Sequence, residues 1–479
     1  MARTIPAADA VFLWIDRTEA PANVGVVLIF DPPPGRSART AVREIVRAYR
    51  STLPTAPFDV VPHLPPLGLQ QWRSPEHIDM RSHVLHETLA APGDSAQLNA
   101  RVVELHRGLL DRSRPLFEIH VIDGLEGGRF ALYVKSHHVS WDGRSALARI
   151  FGTLTTEPGP LQTGFHAAAP AAAPAGPAAP AHPLHTLLTQ ALAMRELYAT
   201  VSKRLAALRS DPDGPRGNAP FGGPHTRLNR PVVAERSFGT FSLPLEELRQ
   251  VSQAYGGTIN DALLSVVDDA VHRYLRSFGE RPAEPLVAMC PMSLREPGDD
   301  EAGTKATSMF VRLGNPRSVA VRRMAEIVAS TTRAKTEIRS MSKEASLDFA
   351  LLAFGLWFAS HALGLDAHTR PVVNYTVSNV GGTAGPRYLG RSRLVGAYPV
   401  SMIADPVALN FTSLSHDGRL DVGVIASRAA VPDAGPLVAH CLAAWQGLRS
   451  ARPPQDLTGR MPPARKRSRT RRMPATQRS

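Results

Sequence analysis

The sequence predicts an α/β protein built from two halves, each a mixed β-sheet covered by helices. Two observations indicate this fold class. The chain has 479 residues, of which 43% are hydrophobic, which is enough for two or more separate cores. Strand and helix patterns are mixed on both sides of an uncharged Ala/Pro-rich segment. We therefore divide the chain into a first half at 1–162, a linker at 163–225, a second half at 226–451 and a tail at 452–479.

Both halves contain recognisable hydrophobic repeats. In the first half, residues 24–30 are typical of a strand, and apolar residues at helical spacing predict helices over 42–49 and 98–109. Two alternating runs, 117–121 and 130–134, flank the turn DGLEGG and predict a β-hairpin. The second half shows helix patterns at 263–275 and 319–338 and strand patterns at 286–290, 372–377, 408–414 and 420–426, the last two flanking a second hairpin turn.

The linker begins with residues 163–183, which are rich in Ala and Pro and have neither charge nor a periodic apolar face. An apolar stripe at three- and four-residue steps follows and predicts an amphipathic helix, with Leu187, Ala191, Met194, Tyr198, Val201, Leu205 and Leu208 on one face. We expect this helix either to pack on the two halves or to lie on a bilayer.

Residues 349–365 form a second apolar stretch, with no formal charge. It is slightly shorter than the roughly 20 residues that a membrane-spanning helix needs. A buried core helix, or a helix at a membrane surface or a substrate tunnel, therefore fits this stretch better than a membrane span.

The net charge of +13 is concentrated in the tail, because the residues beyond 459 include eight basic and no acidic side chains. Such a tail is typical of a solvated terminus, and it would also be attracted to anionic lipid headgroups. We expect no nucleic-acid partner. Cys290 and Cys441 form neither a disulfide framework nor a zinc motif, which favours a reducing cytoplasmic compartment. Asp9 and Asp16 interrupt the apolar run near the N-terminus, so we predict no signal peptide.

The segment HHVSWDG, residues 137–143, carries the strongest functional signal. It follows the second strand of the predicted first-half hairpin, and a helix is predicted directly after it from Leu147, Ile150, Phe151 and Leu154. His137 and His138 therefore lie at the end of a strand, where loops carry functional side chains on a rigid scaffold. An imidazole there suits general-base chemistry, because it titrates near neutral pH.

Other roles for this segment are less favoured. A metal site is disfavoured because neighbouring strand residues point to opposite faces and no further histidine or cysteine ligand is near. A purely structural histidine pair is a further alternative. With His138 as the base, we expect His137 to point into the fold and to form hydrogen bonds there. Ser140 lacks the GxSxG elbow of a serine nucleophile, so a mechanism without a covalent enzyme intermediate is favoured, in which a group passes directly from one substrate to the other. Asp142 would orient a ring or hold the loop, and Gly143 would allow a close approach of the backbone.

HHVSWDG fits the HHxxxDG motif and so resembles the CoA-dependent acyltransferases, which also include nonribosomal peptide condensation domains. The surrounding sequence is similar to the wax ester synthase/diacylglycerol acyltransferase family, in order over nearly the whole chain outside the Ala/Pro stretch and the tail. The segments that carry this resemblance are DAVFL at 9–13, APANVG at 20–25, HIDMRSHV at 77–84, DRSRPLFE at 111–118, TRLN at 226–229, TINDA at 258–262, PMSLR at 291–295, SNV at 378–380 and Gly385-Pro386.

The resemblance implies two chloramphenicol-acetyltransferase-like mixed-sheet halves around a central channel. In such enzymes the second histidine, here His138, is the general base. The other site residues that the resemblance implies are His137, Asp142 and Gly143 around the base, and Asn260 and Asn379 for substrate binding. Both Asn260 and Asn379 could instead simply cap backbone groups, since asparagine often does so before a helix.

The implied reaction moves a long-chain acyl group from acyl-CoA to 1,2-diacylglycerol or to a fatty alcohol, with acyl-CoA as a substrate and no cofactor. The expected location is the inner face of the membrane or a lipid inclusion, with peripheral attachment. Two alternatives stay open. One is an acyltransferase or condensation enzyme of specialised metabolism, and the other is an inactive homologue that binds lipid.

Three departures from the family pattern concern substrate preference more than the chemistry. The family commonly has PLW where this chain has PLF at 115–117, and Met-His where this chain has Ala22-Asn23. Trp141 is bulkier than the aliphatic residues that are usual before the motif aspartate. We expect these positions to affect acceptor and chain-length preference, because His138, Asp142 and Gly143 are retained.

Overall fold

The computed structural model describes residues 3–64, 70–140, 143–168, 222–293, 306–340, 364 and 369–451. No helix among these residues combines the length and the apolar character needed to cross a membrane. The predicted helix at 187–208, nearly all of the apolar stretch at 349–365 and the tail at 452–479 lie outside the described residues.

The first half mixes strands and helices. In chain order they are β1 (Arg3–Thr4), α1 (Ala7–Ile15), β2 (Asn23–Asp31), α2 (Ala38–Arg50), β3 (Val61–His63), β4 (Gln71–Arg73), β5 (Val84–Thr88), α3 (Ser95–Arg107), β6 (Phe117–Leu125), β7 (Arg129–His137) and α4 (Gly143–Gly152).

The described part of the second half is also mixed. Its elements are β8 (Arg236–Pro244), α5 (Leu245–Ala254), α6 (Ile259–Ser277), β9 (Val287–Ser293), β10 (Ala306–Arg312), α7 (Ala320–Arg339), β11 (Tyr375–Thr383), β12 (Tyr388–Leu389), β13 (Ser392–Val400), β14 (Leu409–His416), β15 (Arg419–Ser427) and α8 (Gly435–Ser450).

Two six-stranded mixed sheets dominate the fold. The first sheet has the order β12-β13-β2-β7-β6-β5 and is antiparallel except for the β5/β6 pair. The second sheet has the order β10-β9-β11-β14-β15-β8, in which β11 runs parallel to both of its neighbours. A small three-stranded sheet joins β1, β4 and β3. The predicted α/β class with two mixed sheets is confirmed.

The two halves of the chain interlock. Strand β13 comes late in the sequence but pairs with β2 of the first sheet, from Arg393 opposite Asp31 to Val400 opposite Gly25. It also packs on β14 and β15 of the second sheet. Helix α3 packs on β8, and α4 packs on β11. The boundary between the sheets therefore differs from the sequence boundary at the linker.

Most of the local patterns formed the elements that they predicted. Helix α2 buries the apolar stripe that predicted it, and the Ser37 hydroxyl accepts a hydrogen bond from the Thr40 N–H at its start. Both predicted hairpins, β6–β7 and β14–β15, are present. In the second, Asp417 and Gly418 adopt positive φ angles of 43° and 76°, which suits a tight turn. The strand predicted from residue 372 begins only at Tyr375.

The first half extends beyond residue 162. Phe165 and His166, which the Ala/Pro pattern assigned to the linker, are buried. The His166 carbonyl accepts the Thr55 N–H at 2.8 Å, and Phe165 packs edge-on against Phe58. The sequence does not indicate this burial. Phe165 and His166 stand next to an Ala-rich run, and no apolar residues recur around them at helix or strand spacing.

A buried ion pair joins α6 to α7. The Asp268 carboxylate accepts a hydrogen bond from the Arg323 guanidinium, and both side chains are almost fully buried. His272 lies one turn along α6 with its Nε2 3.5 Å from Asp268, and burial lowers the pKa of this imidazole. Because a lowered pKa favours neutral His272, the negative charge of Asp268 is balanced mainly by the Arg323 guanidinium.

Gly423 lies where β15 of the second sheet passes close to β13. A Cβ at this position would lie 1.9 Å from the carbonyl oxygen of Pro399. Because backbone cannot move aside as a flexible side chain can, we expect Gly423→Ala to lower the free energy of unfolding by about 1–3 kcal/mol, measured by urea denaturation. Gly447→Ala in α8, where a Cβ meets nothing within 4 Å, is the matched control and should be neutral or slightly stabilising. Equal stability of the two variants would contradict this prediction.

Candidate active site

His138 lies at the first residue of the turn between β7 and α4. β7 ends at His137, which pairs with Asn23 at the start of β2. The backbone N–H of His138 donates to the Ala22 carbonyl at 2.9 Å, which extends the strand pairing by one bond. The sequence prediction of a histidine at the end of a hairpin strand, directly before a helix, is confirmed for the backbone.

The His138 ring stacks on Phe12 of α1. The two ring centroids are 3.9 Å apart and the planes differ by 17°. His138 is half-buried, whereas His137 and Val139 on either side are buried. Stacking fixes the plane of the imidazole and leaves part of it accessible, which a general base requires if a substrate hydroxyl is to reach it.

His137 points into the fold, toward Asp16. Its Nδ1 accepts a hydrogen bond from the Val139 N–H at 3.1 Å, so its proton is on Nε2. Nε2 faces Oδ2 of Asp16 across 3.3 Å, an electrostatic contact without hydrogen-bond geometry. The same Oδ2 accepts a hydrogen bond from Arg112 at 3.1 Å. His137 and Asp16, both buried, and the partly exposed Arg112 thus form one cluster behind the candidate base.

Asp16 is anionic in this cluster. Burial alone would raise the pKa of its carboxyl, but His137, the Ala22 N–H and Arg112 together hold that pKa below its usual value. Oδ1 accepts the Ala22 N–H at 2.9 Å. The carboxylate is therefore fixed through both of its oxygens.

A second ionic group lies on the neighbouring part of β7. The buried Lys135 has its Nζ 3.5 Å from Oε2 of Glu118, which also lies 3.1 Å from Nε2 of His120. Burial lowers the pKa of Lys135, and Glu118 and Asp16 oppose that shift. Alternate residues of β7 thus carry polar side chains toward one side of the first sheet.

The roles predicted for Asp142 and Gly143 stay predictions. Asp142 and Trp141 lie outside the described residues, and α4 begins at Gly143. Ser140 donates its backbone N–H to the His137 carbonyl at 3.0 Å and so closes the turn.

Asn260 lies in the first turn of α6 and is half-buried. The cap of this helix is formed by other residues: the Asp261 carboxylate accepts from both the N–H and the hydroxyl of Thr258, at 2.7 and 2.8 Å. The capping alternative for Asn260 is therefore unnecessary. The main packing partners of α6 are α5, α7 and α8, all in the second half.

Asn379 lies at an irregularity in β11. Pairing with β14 shifts register between Asn379 and Gly382, and the Asn379 Oδ1 accepts the Gly381 N–H at 3.1 Å. The side chain is exposed. β11 packs against α4, the helix that follows the His138 turn, so the fold brings the strand of Asn379 next to the motif helix.

Two of the departures from the family pattern are core residues. The buried Asn23 donates through Nδ2 to the carbonyls of His106 and Gly108, both at 2.8 Å, and so ties β2 to the end of α3. Phe117 is fully buried and stacks on His83 with ring centroids 4.5 Å apart. Both positions support the first sheet beside the site.

Alternative nucleophiles and metal ligands find little support. Cys290 and Cys441 are buried free thiols, and burial raises the pKa of Cys290 to about 12. In the part of the chain that the structure describes, no three His, Cys, Asp or Glu side chains are grouped so as to hold a metal ion.

Sequence reasoning did not find Asp16, Phe12 or Arg112 as site residues. Asp16 and Phe12 precede the motif by more than a hundred residues. Arg112 lies within the DRSRPLFE segment, where only the resemblance drew attention to it. No local pattern signals a contact over such a separation.

Comparison with known proteins identifies the family. The sequence model described as the wax ester synthase/diacylglycerol acyltransferase catalytic domain matches residues 5–263, and the one described as the WS/DGAT C-terminal domain matches residues 302–449. A Mycobacterium tuberculosis protein named "Putative diacyglycerol O-acyltransferase" is 33% identical over 449 residues, with 92% of this chain and 98% of that protein covered. A Mycobacterium bovis protein of the same name is 34% identical over 474 residues, with 93% and 91% covered.

Comparison with solved structures points to the same family as the comparison of sequences. The wax ester synthase/diacylglycerol acyltransferase from Marinobacter aquaeolei VT8 is similar with a TM-score of 0.72 and 26% identity, covering 93% of this chain and 98% of that one. The first condensation domain of the calcium-dependent antibiotic synthetase shares the fold, with a TM-score of 0.55 at 16% identity, covering 94% and 96%. The chain therefore belongs to the wax ester synthase/diacylglycerol acyltransferase family.

Proposed function

We propose that the protein is an acyl-CoA-dependent O-acyltransferase that makes triacylglycerol from long-chain acyl-CoA and 1,2-diacylglycerol by direct transfer. Membership of the family and the names of the mycobacterial relatives support this class of reaction. The observation that carries the proposal is the half-buried His138 at the end of β7, with its ring held against Phe12.

His138 acts as the general base. It removes the proton from the acceptor hydroxyl as that oxygen attacks the thioester carbonyl carbon of acyl-CoA. The tetrahedral intermediate then collapses, the carbon–sulfur bond breaks, and the imidazolium returns its proton to the CoA thiolate. The products are the ester and free CoA, and the histidine regains its starting state.

Direct transfer is preferred to a covalent acyl-enzyme. The two cysteines are buried with their thiols protonated, as the raised pKa of Cys290 indicates. Ser140 follows His138 in the same turn and does not lie within the GxSxG motif that serine hydrolases use. A base that serves the acceptor directly needs no separate nucleophile.

Asn260 and Asn379 are proposed to bind or polarise the substrates. A donor aimed at the developing oxyanion is required, because loss of one such donor typically costs about 3 kcal/mol of transition-state stabilisation. The packing of β11 on α4 supports a place for Asn379 beside the motif. Asn260 has the weaker structural support, since α6 packs mainly within the second half. Asp142 and Gly143 are proposed to shape the loop that holds the base.

A fatty alcohol is the second candidate acceptor. The Marinobacter protein is named for both wax ester synthesis and diacylglycerol acylation, which supports considering both. Both acceptors present one hydroxyl on a long apolar chain. Because both are membrane lipids, we propose peripheral association with the inner face of the membrane or with lipid inclusions, aided by the basic tail.

The deciding experiment measures CoA release by the purified protein given palmitoyl-CoA with diacylglycerol, with hexadecanol or with no acceptor, and identifies the lipid product by mass. Triacylglycerol formed with diacylglycerol is the expected result. Ester formed only with hexadecanol would make the protein a wax ester synthase. The absence of acceptor-dependent release with either lipid would contradict the proposal and favour a carrier-dependent or inactive homologue.

A further inference from the structure

We propose that Asp16, directly after α1, is a positioning residue for His138. It acts through two separate connections, one to the backbone N–H of His138 and one to the backbone N–H of Val139. This inference rests on the proposed role of His138 and deepens it. The carboxylate would not touch the substrate; it would hold the turn in which the base lies.

The first connection runs through Ala22. Oδ1 of Asp16 accepts the Ala22 N–H at 2.9 Å. The carbonyl of Ala22 in turn accepts the backbone N–H of His138 at 2.9 Å. A shift of the Asp16 carboxylate therefore moves Ala22, whose carbonyl accepts the hydrogen bond from the His138 backbone.

The second connection runs through His137. Its Nε2 lies 3.3 Å from Oδ2 of Asp16, and its Nδ1 accepts the Val139 N–H at 3.1 Å. An anionic partner at Nε2 favours the tautomer whose Nδ1 is free to accept. Asp16 thus supports a bond to the residue after His138 as well as a bond to His138 itself.

The ring of the base is held by the same part of the chain. Phe12 of α1 stacks on the His138 ring, and α1 ends one residue before Asp16. Arg112 connects this end of α1 to the segment between α3 and β6, since it donates to the Leu13 carbonyl at 2.7 Å and to Asp16 at 3.1 Å. One anchored segment therefore controls both the backbone and the ring plane of the base.

The cluster is sensitive to charge rather than to volume. The Asp16 side chain is 3% exposed. Two cations attract it electrostatically: Arg112, and Lys135, which lies two residues before His137 in β7. Asparagine would fill the same space without the negative charge. It would leave His137 free to take the other tautomer, in which a protonated Nδ1 opposes the Val139 N–H.

The test compares Asp16→Asn with Asp123→Asn in the full-length protein. Asp123 is a matched control, because it is also a buried aspartate and also lies 3.3 Å from a histidine, His86. It lies in β6 of the first sheet, toward the end of that strand that is far from the His138 turn. We expect Asp16→Asn to lower kcat by about 10- to 100-fold, the scale of a misplaced catalytic group, with KM for palmitoyl-CoA changed less than about twofold. Asp123→Asn should change kcat less than about threefold at a similar melting temperature.

A double variant separates positioning from general structural damage. In the His138→Ala background, where no base remains to be positioned, Asp16→Asn should cause no further loss of rate, measured with radiolabelled acyl-CoA. An equal loss in both backgrounds, or an unchanged kcat in the single variant, would overturn the role of Asp16. High activity of His138→Ala alone would overturn the proposed base itself and, with it, this inference.

Discussion

Replacement of His138 by alanine is expected to lower the rate of acyl transfer by at least about 100-fold, the scale of lost general-base catalysis. An acceptor hydroxyl must lose its proton as it attacks, and at neutral pH water replaces a positioned imidazole poorly. The substitution also removes the ring that stacks on Phe12 but keeps the backbone bond to Ala22, so the turn should persist.

Acceptor-dependent CoA release, at saturating palmitoyl-CoA and diacylglycerol, is the measurement. His86→Ala is a suitable control, because His86 is a partly exposed histidine in the edge strand of the same sheet and pairs with Asp123. The control should keep nearly full activity, and both variants should give the circular dichroism spectrum of the unmodified protein. Nearly full activity of His138→Ala would remove this residue from its role.

Replacement of Asp268 by alanine is expected to lower the free energy of unfolding by about 3–5 kcal/mol. The change leaves the Arg323 guanidinium buried between α6 and α7 without its carboxylate, and the guanidinium Nε already has no hydrogen-bond partner among the described residues. His272 cannot replace the lost carboxylate, because an imidazole is either neutral or cationic; burial lowers its pKa and favours the neutral form.

The neighbouring Asp269 provides the control for this variant. Asp269 also pairs with an arginine, Arg273, at 2.7 Å one turn along α6, but this pair is partly exposed. Exposed pairs contribute about 0–1 kcal/mol, so Asp269→Ala should shift the urea midpoint little. Similar midpoints for the two variants would show that the Asp268–Arg323 pair contributes no more than a surface pair.

Local patterns predicted much of the fold and the position of the motif. Period-two alternation in β6 and β7 and helical spacing after residue 143 depend only on neighbouring residues, so they were readable from the sequence. They correctly placed His138 between a strand end and a helix. The chemistry assigned to it came from the resemblance and from the titration of imidazole near neutral pH.

Long-range features could not be read in the same way. The link from Asp16 to His137 and Arg112 joins three distant segments, and Asp16 in the sequence served only to argue against a signal peptide. β13 was missed because it contains Gly396 and Pro399, which disfavour strands, and because its partner β2 lies near the other end of the chain. Burial against a distant partner overrides local preference at such positions.

The position of β13 late in the sequence also determines when the first sheet can be completed during synthesis of the chain. The first sheet gains β13 only after most of the chain, including four of the six strands of the second sheet, has left the ribosome. Until then β2 offers an unpaired edge, the kind of surface that promotes association between nascent chains. Any attempt to express the first half as an independent module would make that transient edge permanent, so a fragment that carries His138 would need β13 grafted beside β2 to remain monomeric.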